Sequence, residues 1–297
     1  MIHYITELQM EESGRENVPG CEPDFPYTAL INQVDDHVGR QVPWHWHEVF
    51  EFVLVRSGAL EYATPSGVFV MQPGEGCFVN TGVLHRCCAY KGAPGVVCTV
   101  QQFERAAIAG AGWIERQYIA PLAACGALEI LRLSPSRVEE RAVLAEMERA
   151  FRAAADEREG FEMDICASLL RAWQGLWPLA RPIVEREGSP ARPENARVKQ
   201  MLAYMRDHYA ENIRLSEIAA AAGVCVRECL RCFRQELDMT PLACLTDMRV
   251  RKAAQLLRET SRTVTDIALS CGFSSVSYFG KVFRRQMGVS PLEYRQK

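Results

Sequence analysis

Four side chains in the first third of the chain have types and a spacing that could do chemistry: His45, His47, Glu51 and His85. The first three stand in the arrangement G-x5-H-x-H-x3-E-x6-G, which begins at Gly39 and ends at Gly58. Side chains alternate between faces along a strand, so His45 and His47 are expected to point to one side. A turn bearing Pro73, Gly74, Glu75 and Gly76 then brings the chain back towards His85. Three imidazoles and one carboxylate converging in an interior form a donor set suited to a divalent transition metal. With Trp44 and Trp46 beside them, the same side chains could instead contact an organic effector through polar groups and ring faces. On the residues alone both occupants remain open.

Such a cluster needs a scaffold of short strands. From about residue 28 to 104, β-rich runs alternate with glycine- and proline-bearing turns. The runs are Val49–Val55, Gly67–Met71, Cys77–Asn80 and Val96–Val100. Many short strands at close spacing predict a barrel or sandwich. Trp44, Trp46, Phe50, Phe52, Tyr62 and Phe78 are candidates to line its interior, the register deciding which of them do. The motif pair resembles that of the cupins, and this resemblance implies a small double-stranded β-helix barrel. His85 sits further along than the usual second-motif histidine, and the usual closing Asn is not evident.

After about residue 105 the period changes. Arg137 to Ala155 carries Val143, Leu144, Met147 and Phe151 at helical spacing. Phe161 to Trp177 predicts a second helix with Ile165, Leu169, Trp173 and Leu176 on one face, ended by Pro178 and Pro182. The apolar stripes of this hairpin must be buried, either in a homodimer interface or against the barrel. The stretch Gly188–Ser189–Pro190–Ala191–Arg192–Pro193 reads as a linker.

The last hundred residues repeat themselves. Leu215–Ser216–Glu217–Ile218–Ala219 recurs as Val264–Thr265–Asp266–Ile267–Ala268, and Gly223–Val224 as Gly272–Phe273, at an offset of 49. Phe233–Arg234 and Met239–Thr240–Pro241 recur as Phe283–Arg284 and Val289–Ser290–Pro291 at an offset of 50. Each copy predicts a short helix, a glycine turn and a second amphipathic helix, about Val226–Gln235 and Ser275–Gln286. Ser274 or Ser275 is positioned to cap the latter, whereas the first copy offers only Cys225, a poor cap. A long helix from Pro241 to Leu257 separates the copies, so both second helices can enter successive major grooves.

Charge agrees with this division. Residues 195–297 hold 17 Lys and Arg against 10 Asp and Glu, while residues 1–194 hold 17 against 27. A local positive surface is what a phosphate backbone requires, whatever the net charge of the chain.

The repeat resembles the DNA-binding domain of the AraC/XylS family of regulators. The resemblance rests on Arg249, Ala253, Leu256 and Leu257, then Ile267–Ala268, Gly272–Phe273, Ser277–Tyr278–Phe279, Phe283–Arg284 and Ser290–Pro291–Leu292–Glu293–Tyr294–Arg295. It implies transcriptional regulation through paired major-groove contacts on double-stranded promoter DNA. The residues facing away from the Phe279/Phe283 core are Val276, Ser277, Gly280 and Lys281 in the second copy, and Arg227, Leu230 and Arg231 occupy that place in the first. Arg284 and Arg285, with Lys281, are expected to supply positioning charge. Cys225, Cys229 and Cys232 share one helical face; Cys229 and Cys232 read chiefly as small core hydrophobes, with a metal or redox role for the three thiols as the alternative.

The fold class expected is therefore α+β and multidomain: a cupin-like barrel over 1–105, a helical connector over 106–188 and an all-α double helix-turn-helix over 195–297. The family analogy favours a regulator, an activator in its usual form, controlled by a small-molecule effector such as a sugar, dimeric, and acting with RNA polymerase. No cofactor is required by this reading; a divalent metal in the barrel is the open addition. A composition of 48% hydrophobic and 24% charged residues argues against extensive disorder. The N-terminus carries no basic-then-apolar signal and no run is long enough to span a membrane. A cytoplasmic location and twelve reduced cysteines are thus expected. Two rivals remain: a metal-dependent cupin enzyme, and a DNA-binding architectural protein without an effector.

Overall fold

The computed structural model describes residues 2–5, 8, 15–18, 21, 24–109, 112–187 and 193–296. Most of the predicted linker, residues 188–192, lies outside the described residues. The described residues fall into two compact units, one comprising those up to residue 187 and the other those from residue 193.

Among the described residues the first unit contains ten strands: β1 (Ile2–Ile5), β2 (Tyr27–Gln33), β3 (Gln41–His45), β4 (Phe50–Ser57), β5 (Leu60–Thr64), β6 (Gly67–Met71), β7 (Gly76–Val79), β8 (His85–Ala89), β9 (Val97–Phe103) and β10 (Ile130–Leu133). They form a six-stranded sheet of order β1-β2-β9-β4-β7-β10 and a four-stranded sheet of order β3-β8-β5-β6. The β1–β2 pair is parallel and the other pairs are antiparallel. Three helices follow or interleave: α1 (Ala120–Ala123), α2 (Val138–Asp156) and α3 (Phe161–Glu187).

The central strand β4 is buried on both faces, and its alternation creates two cores. Phe50, Phe52 and Leu54 pack outward with Phe78, Phe103 and the helices, whereas Val53 and Val55 pack inward with Leu60, Tyr62, Val79 and Cys98. Glu51 shares the inward face with Val53, which is how one carboxylate enters an apolar barrel.

This register corrects the expected lining. Phe50 and Phe78 meet Trp173 of α3 at ring separations of 4.8 and 5.6 Å, so these rings, and Phe52 with them, serve the outer core. Of the six candidate rings only Tyr62 lines the barrel cavity. The reason is the strand period: the residues beside Glu51 in sequence must face away from it.

The hairpin α2–α3 lays Val143, Leu144, Met147, Ile165, Leu169 and Leu176 on that outer core. The stripes are thus buried against the sheet within the unit. The helix α3 also runs through Pro178 and Pro182, where the sequence predicted its end. Each proline costs about 3 kcal/mol in a helix interior, and the burial of Ala180 with the partial burial of Ile183 and Val184 on the same core offsets this.

The second unit is helical: α4 (Pro193–Asp207), α5 (Leu215–Ala221), α6 (Val226–Leu237), α7 (Pro241–Glu259), α8 (Val264–Ser270), α9 (Val276–Met287) and α10 (Pro291–Arg295). The pairs α5–α6 and α8–α9 are the two helix-turn-helix copies, packed on α7. Ile218 and Phe233 in one copy, and Ile267, Phe279 and Phe283 in the other, are fully buried. The helix α4 stands outside the sequence expectations, although Val198, Met201, Leu202 and Met205, all buried, carry its i, i+3, i+4, i+7 pattern in a helix that starts at Pro193.

No helix among the described residues is long and apolar enough to cross a membrane. None of the twelve cysteines forms a disulfide.

Candidate functional site

His45 closes β3 and His85 opens β8, and the two are direct register partners across the sheet. The strand expectation holds for His45 and fails for His47, which lies beyond β3 in the loop before β4. The β3–β8 register shifts between Val42 and His45, and the loop is held where Gly82 N–H donates to the His47 carbonyl at 2.7 Å. All three imidazoles nevertheless converge. Ring separations are 4.0 Å for His45–His85 and 5.0 Å for His47–His85, and one ligating atom from each lies within 4.8 Å of the others.

Their orientation has a common cause. In each ring Nδ1 contacts a backbone carbonyl: Pro43 O at 2.8 Å for His45, Val49 O at 3.0 Å for His47 and Val83 O at 2.9 Å for His85. A carbonyl can only accept, so Nδ1 carries the proton and Nε2 is turned to the cluster. This is the arrangement in which a metal-binding histidine is held by its other nitrogen.

Glu51, on β4, accepts from Tyr62 Oη at 2.9 Å, from His47 Nε2 at 3.1 Å and from Gln102 Nε2 at 3.1 Å. With both ring nitrogens donating, His47 is an imidazolium paired with the Glu51 carboxylate. Burial works against both charges, but the hydrogen bond between them wins: His47 is raised above the usual histidine value and Glu51 falls to about 2. Burial, reinforced by His85 and His47, holds His45 well below its usual value and therefore neutral.

A fifth group was missed from sequence. Glu16, only 3% exposed, accepts from Gln102 Nε2 at 3.0 Å and lies 3.8 Å from His45 Nε2. Burial pushes its carboxyl up to about 7 against the opposing pull of His47. No motif could have revealed it, because Glu16 stands outside the G-x5-H pattern in an N-terminal segment with no periodicity.

The cavity at this cluster has a volume of about 30 Å³ and is lined by Glu16, His45, Glu51, His85, Gln102 and Cys98, among others. That exceeds the roughly 10–15 Å³ one water requires and is an order of magnitude below the ~300 Å³ at which small-molecule sites begin. Trp44 and Trp46 are half-buried and are not among its lining residues; Trp44 lies under the Arg86 guanidinium at 5.7 Å.

In the second unit the reading faces are exposed. Arg227, Leu230 and Arg231 on α6, and Val276, Ser277, Lys281, Arg284 and Arg285 on α9, reach solvent; Gly280 is half-buried with open space around it. Ser275 caps α9, accepting from Tyr278 N at 3.2 Å, while Cys225 makes no side-chain cap on α6. Among the described residues the side chains of Arg227, Lys281, Arg284 and Arg285 make no hydrogen bond or ion pair. Arg231 differs. Its guanidinium is held by Glu228 at 2.5 and 2.8 Å, Gln235 at 2.6 Å and Glu194 of α4 at 3.0 Å. The Arg231 hydrogen bond brings the Glu228 carboxyl down to about 2, and these four bonds leave one guanidinium N–H outside the clamp, on a side chain that is itself exposed. Cys229 and Cys232 are buried and Cys225 is exposed, so the three thiols do not converge.

Arg249 of α7 links the copies. It donates through Nε to Tyr209 O at 2.7 Å and through Nη2 to Glu211 O at 2.6 Å, in the loop before α5, and lies 6.0 Å from the Phe273 ring in the turn of the second copy.

Comparison with known proteins agrees with both units. Residues 218–297 match the family model described as a helix-turn-helix domain, and residues 33–100 match that of the cupin domain. The HTH-type transcriptional activator RhaS of Citrobacter koseri is 30% identical over 288 residues, 96% of this chain and 94% of that protein. The uncharacterized HTH-type transcriptional regulator YdeC of Bacillus subtilis is 25% identical over 273 residues, 92% of each chain. Among solved structures, an AraC-type regulator from Chromobacterium violaceum is 31% identical, covering 34% of this chain and 90% of its own at a TM-score of 0.33. With likeness to a relative along nearly the whole of both chains, and with two packed helix-turn-helix copies behind a cupin barrel, this chain belongs to the AraC-type family of helix-turn-helix transcriptional regulators.

Proposed function

We propose that this regulator reads promoter DNA through α6 and α9 and senses an effector at the histidine cluster, the occupant being a divalent transition metal. The observation that carries the sensing part is the shared carbonyl contact at Nδ1, which directs three Nε2 atoms to one small buried space. Metal bound there would supply a fixed positive charge, and the chain's part is to hold His45 and His85 in the ligating tautomer, to take the His47 Nε2 proton away from the cluster on binding, and to exclude water. A sugar or other organic effector would require the 30 Å³ cavity to open about tenfold.

On the DNA side, Arg227, Leu230, Arg231, Val276, Ser277, Gly280 and Lys281 are the proposed base-facing residues, with Arg284 and Arg285 on phosphates. The proposed division is sensing over 1–105, connection over 106–188 and reading over 195–297. Metal occupancy then shifts operator affinity by linkage, and operator binding shifts metal affinity by the same factor. We further propose activation through RNA polymerase, following the description of the RhaS relatives as activators, and a homodimer that uses Met163 and Leu170, the exposed apolar residues of α3. No turnover is expected, in keeping with relatives described as regulators.

The test is selection of bound sequences from random DNA, followed by operator titration with chelated and Zn²⁺-loaded full-length protein. A recovered two-box site whose affinity changes with Zn²⁺ supports the reading. A recovered site with identical affinity in both states, and a shift on adding sugars instead, would replace the metal with an organic effector. Recovery of no sequence preference in any state would defeat the reading as a whole.

A further inference from the structure

Glu16 shares the cavity of the histidine cluster but reaches it from the N-terminal segment. Its backbone N–H donates to Trp46 O at 2.8 Å, which sets it beside the short link between His45 and His47. The Gln102 amide nitrogen donates both to Glu16 Oε2 at 3.0 Å and to Glu51 Oε2 at 3.1 Å. Two carboxylates are therefore held within reach of one amide, each at most 4% exposed. Among the described residues lining this space none is Lys or Arg. The Gln102 Oε1 atom is buried there without a hydrogen-bond partner.

The His47 imidazolium balances one of these buried carboxylates and leaves the second without a cation of its own, which is unfavourable at this depth. Once a metal displaces the His47 Nε2 proton, a dication held by three neutral imidazoles is balanced to zero by two carboxylates and only half balanced by one. We propose that Glu16 is a metal-binding residue of this chain, its carboxylate joining His45, His47, His85 and Glu51 around a divalent transition metal. Gln102 is the positioning residue that keeps both carboxylates at the cluster. The inference rests on the metal reading of the barrel proposed above. It adds a ligand from outside the residues that match the cupin domain, which begin at residue 33.

Full-length protein stripped by a chelator is titrated with Co²⁺, and with Zn²⁺ in competition. Wild type is expected to take one equivalent of Co²⁺. Glu16→Gln preserves shape and removes charge; it is expected to weaken binding about 10–100-fold and to shift the Co²⁺ absorption bands, with Glu16→Asp recovering part of the loss. The metal-free melting temperature of Glu16→Gln is expected not to fall, since one of two buried carboxylates is gone, while the Zn²⁺-dependent rise shrinks. Wild-type Co²⁺ affinity and spectrum in Glu16→Gln, with no binding by His85→Ala, would overturn the role of Glu16 and leave the metal reading standing. Absence of Co²⁺ and Zn²⁺ binding by wild type would overturn both.

Discussion

Arg249 and Gly272 are in contact distance where α7 passes the turn of the second helix-turn-helix copy. A Cβ added to Gly272 would lie 2.9 Å from Arg249 Nη2 and 2.5 Å from the same Tyr209 carbonyl that Arg249 holds. The glycine also has a φ of +80°, so it is required both for its backbone conformation and for its lack of volume. One guanidinium thus closes the first copy's entry loop against the second copy's turn.

The two turn glycines should respond differently to substitution. Gly223 has a φ of +65° and no atom within 4 Å of an added Cβ, so Gly223→Ala is expected to cost about 1–2 kcal/mol from backbone strain. Gly272→Ala adds a clash with backbone and is expected to cost about 3 kcal/mol or more. Urea midpoints of the C-terminal unit's transition measure both; equal losses would show that the two turns are equally crowded.

The helix caps offer a pair with opposite signs. Ser275→Ala removes the bond to Tyr278 N and should destabilise the second copy by about 1 kcal/mol. Cys225→Ser supplies the hydroxyl that α6 lacks and should stabilise by about 0.5–1 kcal/mol. The same unfolding experiment decides, and a destabilised Cys225→Ser would mean that the thiol has a role beyond the cap.

Charge at the DNA face should appear in salt dependence. Arg227→Ala and Lys281→Ala each remove a cation that has no protein partner, and should each lower the slope of log K against log salt by about 1 if they contact phosphate. Glu228→Gln should raise operator affinity, because it releases Arg231 and removes a negative charge from the reading face. Weaker binding by Glu228→Gln would show that the clamp positions Arg231 for DNA rather than withholding it.

The clamp also has a direction in pH. The folded-state carboxyl of Glu228 is depressed to about 2 from an ordinary 4.5, so the pairing is fully present above about pH 4.5 and is lost as pH falls through about 2. A carboxyl NMR titration midpoint near 4.5 would show that the pair is not maintained in solution.

Packing of the helical hairpin on the barrel depends on Trp173, whose indole meets Phe50 and Phe78 and donates to Tyr118 O at 3.0 Å. Trp173→Ala is expected to destabilise the N-terminal unit by about 3–5 kcal/mol. A thermal scan should show that unit's transition lowered and the C-terminal one unchanged.

The repeat at offsets of 49 and 50, the Ile–Ala faces, the turn glycines and the Pro241 start were legible in sequence because each is a local pattern with one structural solution. The identities of His45, His47, Glu51 and His85 were legible for the same reason, since residue type alone states what a side chain can ligate. Tertiary structure decided which face each strand residue took, sending Phe50 to the helices and Glu51 to the cavity. It also carried α3 through two prolines, held Arg231 on Glu228 and Glu194, and brought Glu16 to histidines about thirty residues away. These outcomes depend on burial and on partners distant along the chain, and neither is written in local spacing.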